Sequence, residues 1–84
     1  EVEKIIEKTS LSVFPNPATN DVTIIGFLPQ SIIQIFNVMG QLVHEEKANS
    51  NTLKVNVSQW AKGLYIIKTI TLGGVLQQCK LVVQ

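Results

Sequence analysis

Short runs in which apolar and polar residues alternate cover the sequence from Leu11 to its end. The clearest run is 52–57, where Leu53, Val55 and Val57 alternate with polar residues. Alternation with a period of two predicts a β-strand that has one buried face and one solvated face. The strands predicted on this basis are 11–14, 22–26, 31–38, 41–48, 52–57, 63–71 and 75–84.

The segments between the predicted strands contain residues that favour turns. Pro17 fixes its own φ and disfavours helical backbone at Asn16. Asn37 suits the first position of a tight hairpin, and Gly40 suits the last because glycine adopts positive φ readily. Gly63 can end a single turn before the next strand. Short strands separated by such turns are typical of a sandwich. We therefore predict an all-β fold, an immunoglobulin-like antiparallel β-sandwich of about seven strands.

The same alternation predicts which side chains form the core. Tyr65 opens a strand after a glycine, a place where sandwich domains use a Tyr whose hydroxyl bonds nearby backbone. Trp60 precedes that glycine and can fold over one end of the core. We expect both rings to pack inward and not to form a sugar-binding platform. The predicted core residues are Leu11, Val13, Val22, Ile24, Ile33, Ile35, Val43, Leu53, Val55, Val57, Trp60, Tyr65, Ile67 and Leu81.

The composition supports one small domain built from strands. Val, Ile and Thr together account for 26 of the 84 residues, and such β-branched side chains favour strands. Hydrophobic residues make up 45% of the chain and charged residues 15%. A disordered chain would have the opposite balance. A domain this short needs nearly all its apolar residues for the core, which leaves little material for a catalytic cleft.

The charge balance disfavours a nucleic-acid partner, and the lack of a long apolar run disfavours a transmembrane segment. Seven Lys oppose six acidic residues, there is no Arg, and the formal net charge is +1. A nucleic-acid-binding domain is expected to carry a basic face with forked Arg contacts. No apolar run approaches the roughly 18 residues of a membrane-spanning helix. We therefore predict no nucleic-acid partner and no transmembrane segment.

The start of the chain differs from the rest. Residues 1–8 are rich in charge and show no clear period, which is typical of a linker or a frayed extra strand. Because the chain begins with Glu1 and not with Met, we expect it to be a segment of a longer protein. We predict that residues 1–10 are a linker and that residues 11–84 form the domain.

Few side chains in the sequence are suited to catalysis or metal binding. His44 is the only His and lies in a polar predicted strand, where we expect it to be solvated. Cys79 is the only Cys, so no internal disulfide can form. Its alternation with apolar residues predicts a small core residue and not a reactive thiol. Glu45 and Glu46 are neighbours on a strand and point to opposite faces, so they do not make a metal site. We predict no enzymatic activity, no cofactor, no metal and no small-molecule substrate.

Four local signatures follow one another along the chain. The residues of these signatures are Phe14-Pro15-Asn16-Pro17 with Val22-Thr23-Ile24, Ile33-x-Ile35-Phe36-Asn37-x-x-Gly40-Gln41-x-Val43, Val57-Ser58-x-Trp60-x-x-Gly63-x-Tyr65-Ile66-x-Lys68, and Lys80-Leu81-Val82-Val83. In this order they resemble the type A C-terminal sorting domain of proteins exported by the type IX secretion system, also called the Por secretion system. The resemblance covers residues 11–84.

Two positions depart from the family pattern. Trp60 stands where the family usually has a smaller aliphatic residue, which should change only the packing. Cys79 precedes a single Lys80 where a basic pair is common, and this puts in doubt any role for the second basic residue.

The resemblance implies a non-catalytic sorting domain at the end of a larger secreted protein. Its partners would be the outer-membrane type IX translocation machinery and a sortase-like cysteine peptidase, which removes such domains at the surface and can join the cargo to an anionic lipopolysaccharide. The cargo would cross the periplasm and reach the cell surface or the medium. Cleavage would fall at or before residues 1–10. The oligomeric state is not predicted.

We expect the end of the last strand to be the recognised element, because a terminal strand offers an edge for strand addition to a partner. The alternative is that these residues simply complete a sheet. The recognition residues are Lys80, Leu81, Val82, Val83 and Gln84. The residues expected to hold the shape of the domain are Pro15, Asn16, Pro17, Asn37, Gly40, Gly63 and Tyr65.

Two other kinds of β-sandwich compete with this interpretation. A fibronectin-III-like spacer or adhesion module would share the fold but would more often be followed by further chain. A carbohydrate-binding module would need a row of exposed planar aromatic side chains, which Trp60 alone cannot supply.

Overall fold

A computed structural model describes residues 11–74 and 76–84 of the chain. These residues form seven strands and no helix. The predicted linker, residues 1–10, lies outside the described residues. The strands are β1 (Ser12–Phe14), β2 (Asp21–Ile25), β3 (Ile32–Asn37), β4 (Leu42–Lys47), β5 (Thr52–Asn56), β6 (Gly63–Ile70) and β7 (Leu76–Val83).

The strands form two antiparallel sheets. One sheet has three strands in the order β1-β2-β5, and the other has four in the order β4-β3-β6-β7. Each strand pairs with its sheet neighbours in an antiparallel register. The inner faces of the two sheets pack against each other, as alternation along the strands requires. The seven-stranded immunoglobulin-like sandwich predicted from the sequence is confirmed.

The core lies between the sheets and matches most of the predicted list. Leu11, Val13 and Trp60 are only partly buried and pack against it. Large aliphatic side chains such as Ile24 and Ile35 are fully buried there, and removal of apolar surface from water is the main force that holds such a fold together. The predicted residues that are buried are Val22, Ile24, Ile33, Ile35, Leu53, Val55, Val57, Tyr65, Ile67 and Leu81.

The prediction that Val43 belongs to the core is wrong, because its side chain is 42% exposed. Phe36 of β3 pairs with Leu42, but the preceding Ile35 pairs with His44. Val43 is therefore the extra residue of a β-bulge, which bends the strand and leaves one residue unpaired. The bulge reverses the alternation of β4, so that His44 and not Val43 lies on the same face of the sheet as buried Ile35.

Three loops also contribute to the core. Ala18, Phe27 and Ala48 are buried although they lie between strands. The backbone amide of Ala48 donates to the carbonyl of Ser31 at 2.9 Å, which ties the end of β4 to the start of β3. The buried Ser31 hydroxyl donates to the Leu28 carbonyl at 2.6 Å, so its polar atom is satisfied.

Candidate recognition surface

The five predicted recognition residues of the last strand divide between the two faces of the sheet. Leu81 and Val83 point into the core and are 0% and 3% exposed. Lys80, Val82 and Gln84 are exposed. Because successive side chains of a strand point to opposite faces, only these three side chains are available to a partner in the folded domain.

The free edge of β7 is covered at this end. The carbonyl of Val82 accepts a hydrogen bond from the amide of Ala18 at 2.8 Å, and the amide of Gln84 donates to the Ala18 carbonyl at 2.8 Å. The side chain of Asn16 bonds both the Lys80 carbonyl and the Val82 amide. Strand addition along residues 80–84 would therefore have to displace these four hydrogen bonds on this side.

The Pro-Asn-Pro segment supplies this cover. Pro15 and Pro17 are exposed, and the peptide bonds that precede both prolines are cis. Ala18 follows directly and is fully buried, with a parallel bridge to Val83. The segment that the sequence predicted to hold the shape of the domain thus holds the terminal strand in particular.

The tight turn between β3 and β4 is the one predicted. The amide of Gly40 donates to the Asn37 carbonyl at 3.0 Å, and Gly40 has a φ of 82°. The Asn37 side chain stabilises the turn, since its Oδ1 accepts from the amides of Met39 and Gln41 at 2.9 and 3.0 Å. Such a bond from an Asn side chain to the backbone two residues on is a typical device of turns.

The corner before β6 is also as predicted. Gly63 has a φ of 147°, which a side chain would strain. The Tyr65 hydroxyl donates to the Ala61 carbonyl at 2.6 Å, and the Tyr65 side chain is buried. The Trp60 and Tyr65 rings are tilted by 47° at a centroid distance of 5.2 Å. These two tilted rings pack against each other and the core and do not present a flat row, which argues against the sugar-platform alternative.

A feature that the sequence analysis missed lies on the outer face of the four-stranded sheet. We call the five apolar side chains Phe36, Leu42, Leu64, Ile66 and Val82 the outer patch. Leu42, Leu64 and Val82 are 47%, 37% and 36% exposed, and Phe36 and Ile66 are half-buried. The sequence does carry a signal for it, because 64–67 is a continuous apolar run, and such runs indicate a strand that is covered on both faces.

The outer patch borders a shallow groove of about 430 Å³. Its walls combine apolar side chains with the backbone of the turn between β3 and β4. The cation of Lys68 lies 5.3 Å from the centre of the Phe36 ring, a cation–π contact. The residues that line the groove are Phe36, Asn37, Val38, Gly40, Leu64, Ile66 and Lys68.

The two side chains that could form a nucleophile–base pair, His44 and Cys79, lie far apart. His44 lies on β4 and Cys79 on β7, at opposite edges of the four-stranded sheet. Three strand spacings separate them by about 14 Å, far beyond the reach of a nucleophile–base pair. His44 is partly exposed, and its Nε2 lies 3.0 Å from Glu46 Oε1. Cys79 is half-buried against the core, and burial raises the pKa of its thiol.

The described residues form neither a cluster of metal ligands nor a membrane-spanning helix. No group of three or more His, Cys, Asp or Glu side chains in residues 11–74 and 76–84 is placed to hold a metal ion. Within the same part of the chain, no helix has the length and apolar character needed to cross a bilayer.

Known proteins resemble this chain over nearly its whole length. The family model described as "Secretion system C-terminal sorting domain" matches residues 12–84. The ulvan lyase NLR42 of Nonlabens ulvanivorans is 34% identical over 76 residues, which cover 88% of this chain and 14% of that enzyme. The chain therefore spans about one seventh of the length of this curated relative.

Two solved structures share the fold. The first is PorZ, an essential bacterial surface component of the type IX secretion system of Porphyromonas gingivalis, with a TM-score of 0.81 and 20% identity over 88% of this chain and 11% of that one. The second is CopC from Methylosinus trichosporium OB3b, with a TM-score of 0.52 and 21% identity over 89% of this chain and 92% of that one. At these identities the likeness concerns the fold alone.

The ordered turn signatures, the seven-stranded sandwich and the match of the family model agree with one another. The chain belongs to the family of C-terminal sorting domains of the type IX secretion system.

Proposed function

We propose that this chain is the sorting signal of a larger secreted protein and directs that protein across the outer membrane through the type IX machinery. The observation that carries the proposal is the match of the sorting-domain family over residues 12–84, which leaves almost no part of the folded sandwich for another function. The domain itself is non-catalytic in this account, and any activity belongs to the cargo. The ulvan lyase is one example of an enzyme with a region similar to this chain.

Membership of the family supports the following route for the cargo. The cargo crosses the periplasm, is handed to the translocation machinery of the outer membrane and ends at the cell surface or in the medium. A sortase-like cysteine peptidase removes the domain there. We place the cleaved bond at or before residues 1–10, because this charged and aperiodic segment precedes the first strand at Ser12.

Recognition at the last strand takes place through side chains in this proposal. Lys80, Val82 and Gln84 are exposed and present a cation, an apolar group and an amide. Leu81 and Val83 keep the strand in the core. The turn residues around Asn16 contribute by fixing the position of the strand, not by contact with the partner.

A fusion protein tests the proposal. Residues 1–84 are placed behind a signal peptide and a fluorescent cargo and expressed in a bacterium that has the type IX machinery. We expect the cargo in the surface and medium fractions, and the same cargo without residues 1–84 in the periplasm. Periplasmic retention of the full fusion, in a strain that exports its own cargo normally, would reject the sorting function in favour of a spacer module.

The position of cleavage is tested with the same fusion. The N-terminal sequence of the released fragment, read by mass spectrometry, identifies the cleaved bond. We expect a bond at or before residues 1–10 and no cleavage in cells that lack the peptidase. A bond inside 11–84 would contradict the proposed linker.

A further inference from the structure

We propose that the outer patch is the docking surface for a protein of the export machinery that presents apolar side chains flanked by carboxylates. This inference rests on the proposed function and adds to it the surface that is read and the chemistry of the partner. It extends the recognition end, because Val82 belongs to the patch and Lys80 pairs across the sheet with Ile66.

The two outer faces of the sandwich differ in a way that packing does not explain. An antiparallel sheet with one face in water normally carries polar residues on that face. The three-stranded sheet follows this rule, since each of its two outward apolar side chains, Phe14 and Ile25, lies among polar neighbours. The rows that cross its outer face are Ser12–Ile25–Thr52, Phe14–Thr23–Lys54 and Asp21–Asn56.

The outer face of the four-stranded sheet departs from the rule. The side chains of the outer patch occupy two adjacent rows, so they form a surface and not isolated contacts. Contiguous apolar surface that borders a groove marks interaction sites on soluble proteins. The rows that cross this face are Leu42–Phe36–Ile66–Lys80, Glu45–Gln34–Lys68–Gln78 and Lys47–Ile32–Ile70–Leu76, with the pair Leu64–Val82 at the end beside the turn.

The charges on this face specify the partner. Lys47, Lys68 and Lys80 lie on it, and Glu45 is its only acid among the described residues; the Oε2 of Glu45 accepts a hydrogen bond from the Gln34 side chain at 2.8 Å. No ion pair joins these three lysines to any other described residue. Two of them, Lys68 and Lys80, flank the outer patch directly. Electrostatic complementarity across an interface then calls for carboxylates around an apolar centre.

A second copy of this chain does not provide that complement. Two outer patches placed face to face would bring lysines against lysines, which is repulsive. The other described acids are Asp21, on the outer face of the three-stranded sheet, and Glu46, beside His44. Neither lies next to an exposed apolar cluster like the outer patch. The charges around the outer patch therefore favour a different protein as its partner.

Cross-strand packing alone would not require this arrangement. An outward pair such as Phe36 and Ile66 stabilises a sheet by roughly 0.2–1 kcal/mol. A Thr or Tyr pair would give similar support without exposed Leu side chains, and the three-stranded sheet of this domain uses Thr23 and Thr52 at such positions.

Site-specific crosslinking in the exported fusion tests the inference. p-Benzoylphenylalanine is placed at position 64, in the patch, and as a control at position 52, which is exposed on the outer face of the three-stranded sheet. We expect a crosslink from position 64 to an export-machinery protein, through a peptide that contains apolar residues and Asp or Glu, and none from position 52. A crosslink to lipid, to a second copy or within the chain, or no crosslink from position 64 while the fusion is exported, would overturn it.

Charge reversal tests the proposed docking surface independently. The variant Lys80→Glu is compared with Lys54→Glu, whose exposed lysine lies on the outer face of the three-stranded sheet. We expect about tenfold or greater loss of export only in the first, because like charges across an interface are strongly repulsive. Thermal unfolding of both purified variants verifies that they fold. Equal export of the two folded variants would overturn the inference, whereas failure of the unmodified fusion would reject the proposed function itself.

Discussion

The side chain of Asn16 replaces a neighbouring strand beside Val82. Its Oδ1 accepts a hydrogen bond from the Val82 amide at 2.9 Å, and its Nδ2 donates to the Lys80 carbonyl at 3.0 Å. A primary amide can do this because it carries a donor and an acceptor side by side, as the edge of a strand does. The two residues are 66 positions apart, so this pair fastens β7 to the loop that follows β1.

Replacement of Asn16 should loosen the terminal strand. We expect Asn16→Ala to lower the free energy of unfolding by about 1–2 kcal/mol, because two hydrogen bonds are lost at an exposed site. Hydrogen exchange of the Val82 amide should become faster. Asn49→Ala is the control, since the exposed Asn49 side chain makes no hydrogen bond to a described residue. Unchanged Val82 exchange in Asn16→Ala would contradict the role assigned to this side chain.

The core is tested by two isoleucines that differ only in burial. Ile35 is fully buried, whereas Ile25 is 37% exposed on an outer face. We expect Ile35→Ala to lower the free energy of unfolding by about 2–5 kcal/mol, since it removes buried methylenes and leaves a cavity. Ile25→Ala should cost clearly less. Equal losses in denaturant unfolding would contradict the assignment of the inner face.

The β-bulge is tested by two valines. Val43 is 42% exposed and Val55 is 4% exposed, although strand alternation predicts both as buried. We expect Val43→Asp to leave the fold intact and Val55→Asp to unfold the domain, because a buried unpaired carboxylate is very costly. Circular dichroism of the two variants decides the matter. Unfolding by Val43→Asp would place Val43 back in the core.

Cys79 should react slowly and only at elevated pH. Burial raises the pKa of its thiol, so the reactive thiolate forms at higher pH in the folded domain than in the unfolded chain. As pH rises, the thiol of the unfolded chain loses its proton before the thiol of the folded domain does. The stability that the protonated thiol contributes is therefore fully present below the pKa of the unfolded chain and is lost as pH rises through the pKa of the folded domain. Iodoacetamide alkylation followed against pH, with and without denaturant, measures the difference. Coincident pH profiles would contradict the burial of this side chain.

Most of the fold could be predicted because alternation is a local signal. The strand of Leu53 and Val55, for example, shows its inner face in five residues. Turn positions such as Asn37 and Gly40 are equally local, since each needs a particular residue type. The register of β4 could not be predicted, because no residue type near Val43 indicates the bulge that reverses the alternation.

The candidate site was harder to predict because it depends on contacts between distant residues. The bond from Asn16 to Val82 exists only after the sandwich has formed, and no periodicity marks it. The outer patch likewise joins Leu42, Leu64 and Val82 from three strands. Buried loop residues such as Ala18 were missed for the same reason, since a single small residue in a loop has no pattern.

In the proposed function, this domain is sufficient by itself to direct a cargo protein to type IX export. The most direct measurement uses the fusion of fluorescent cargo to residues 1–84. Proteinase K is added to intact cells, and the fraction of cargo fluorescence that it removes is measured. It is measured in cells with the outer-membrane translocon and in cells without it. We expect loss of the cargo signal in cells that have the translocon and protection of the cargo in cells that lack it. Protection in both, while native type IX cargo remains accessible, would contradict it.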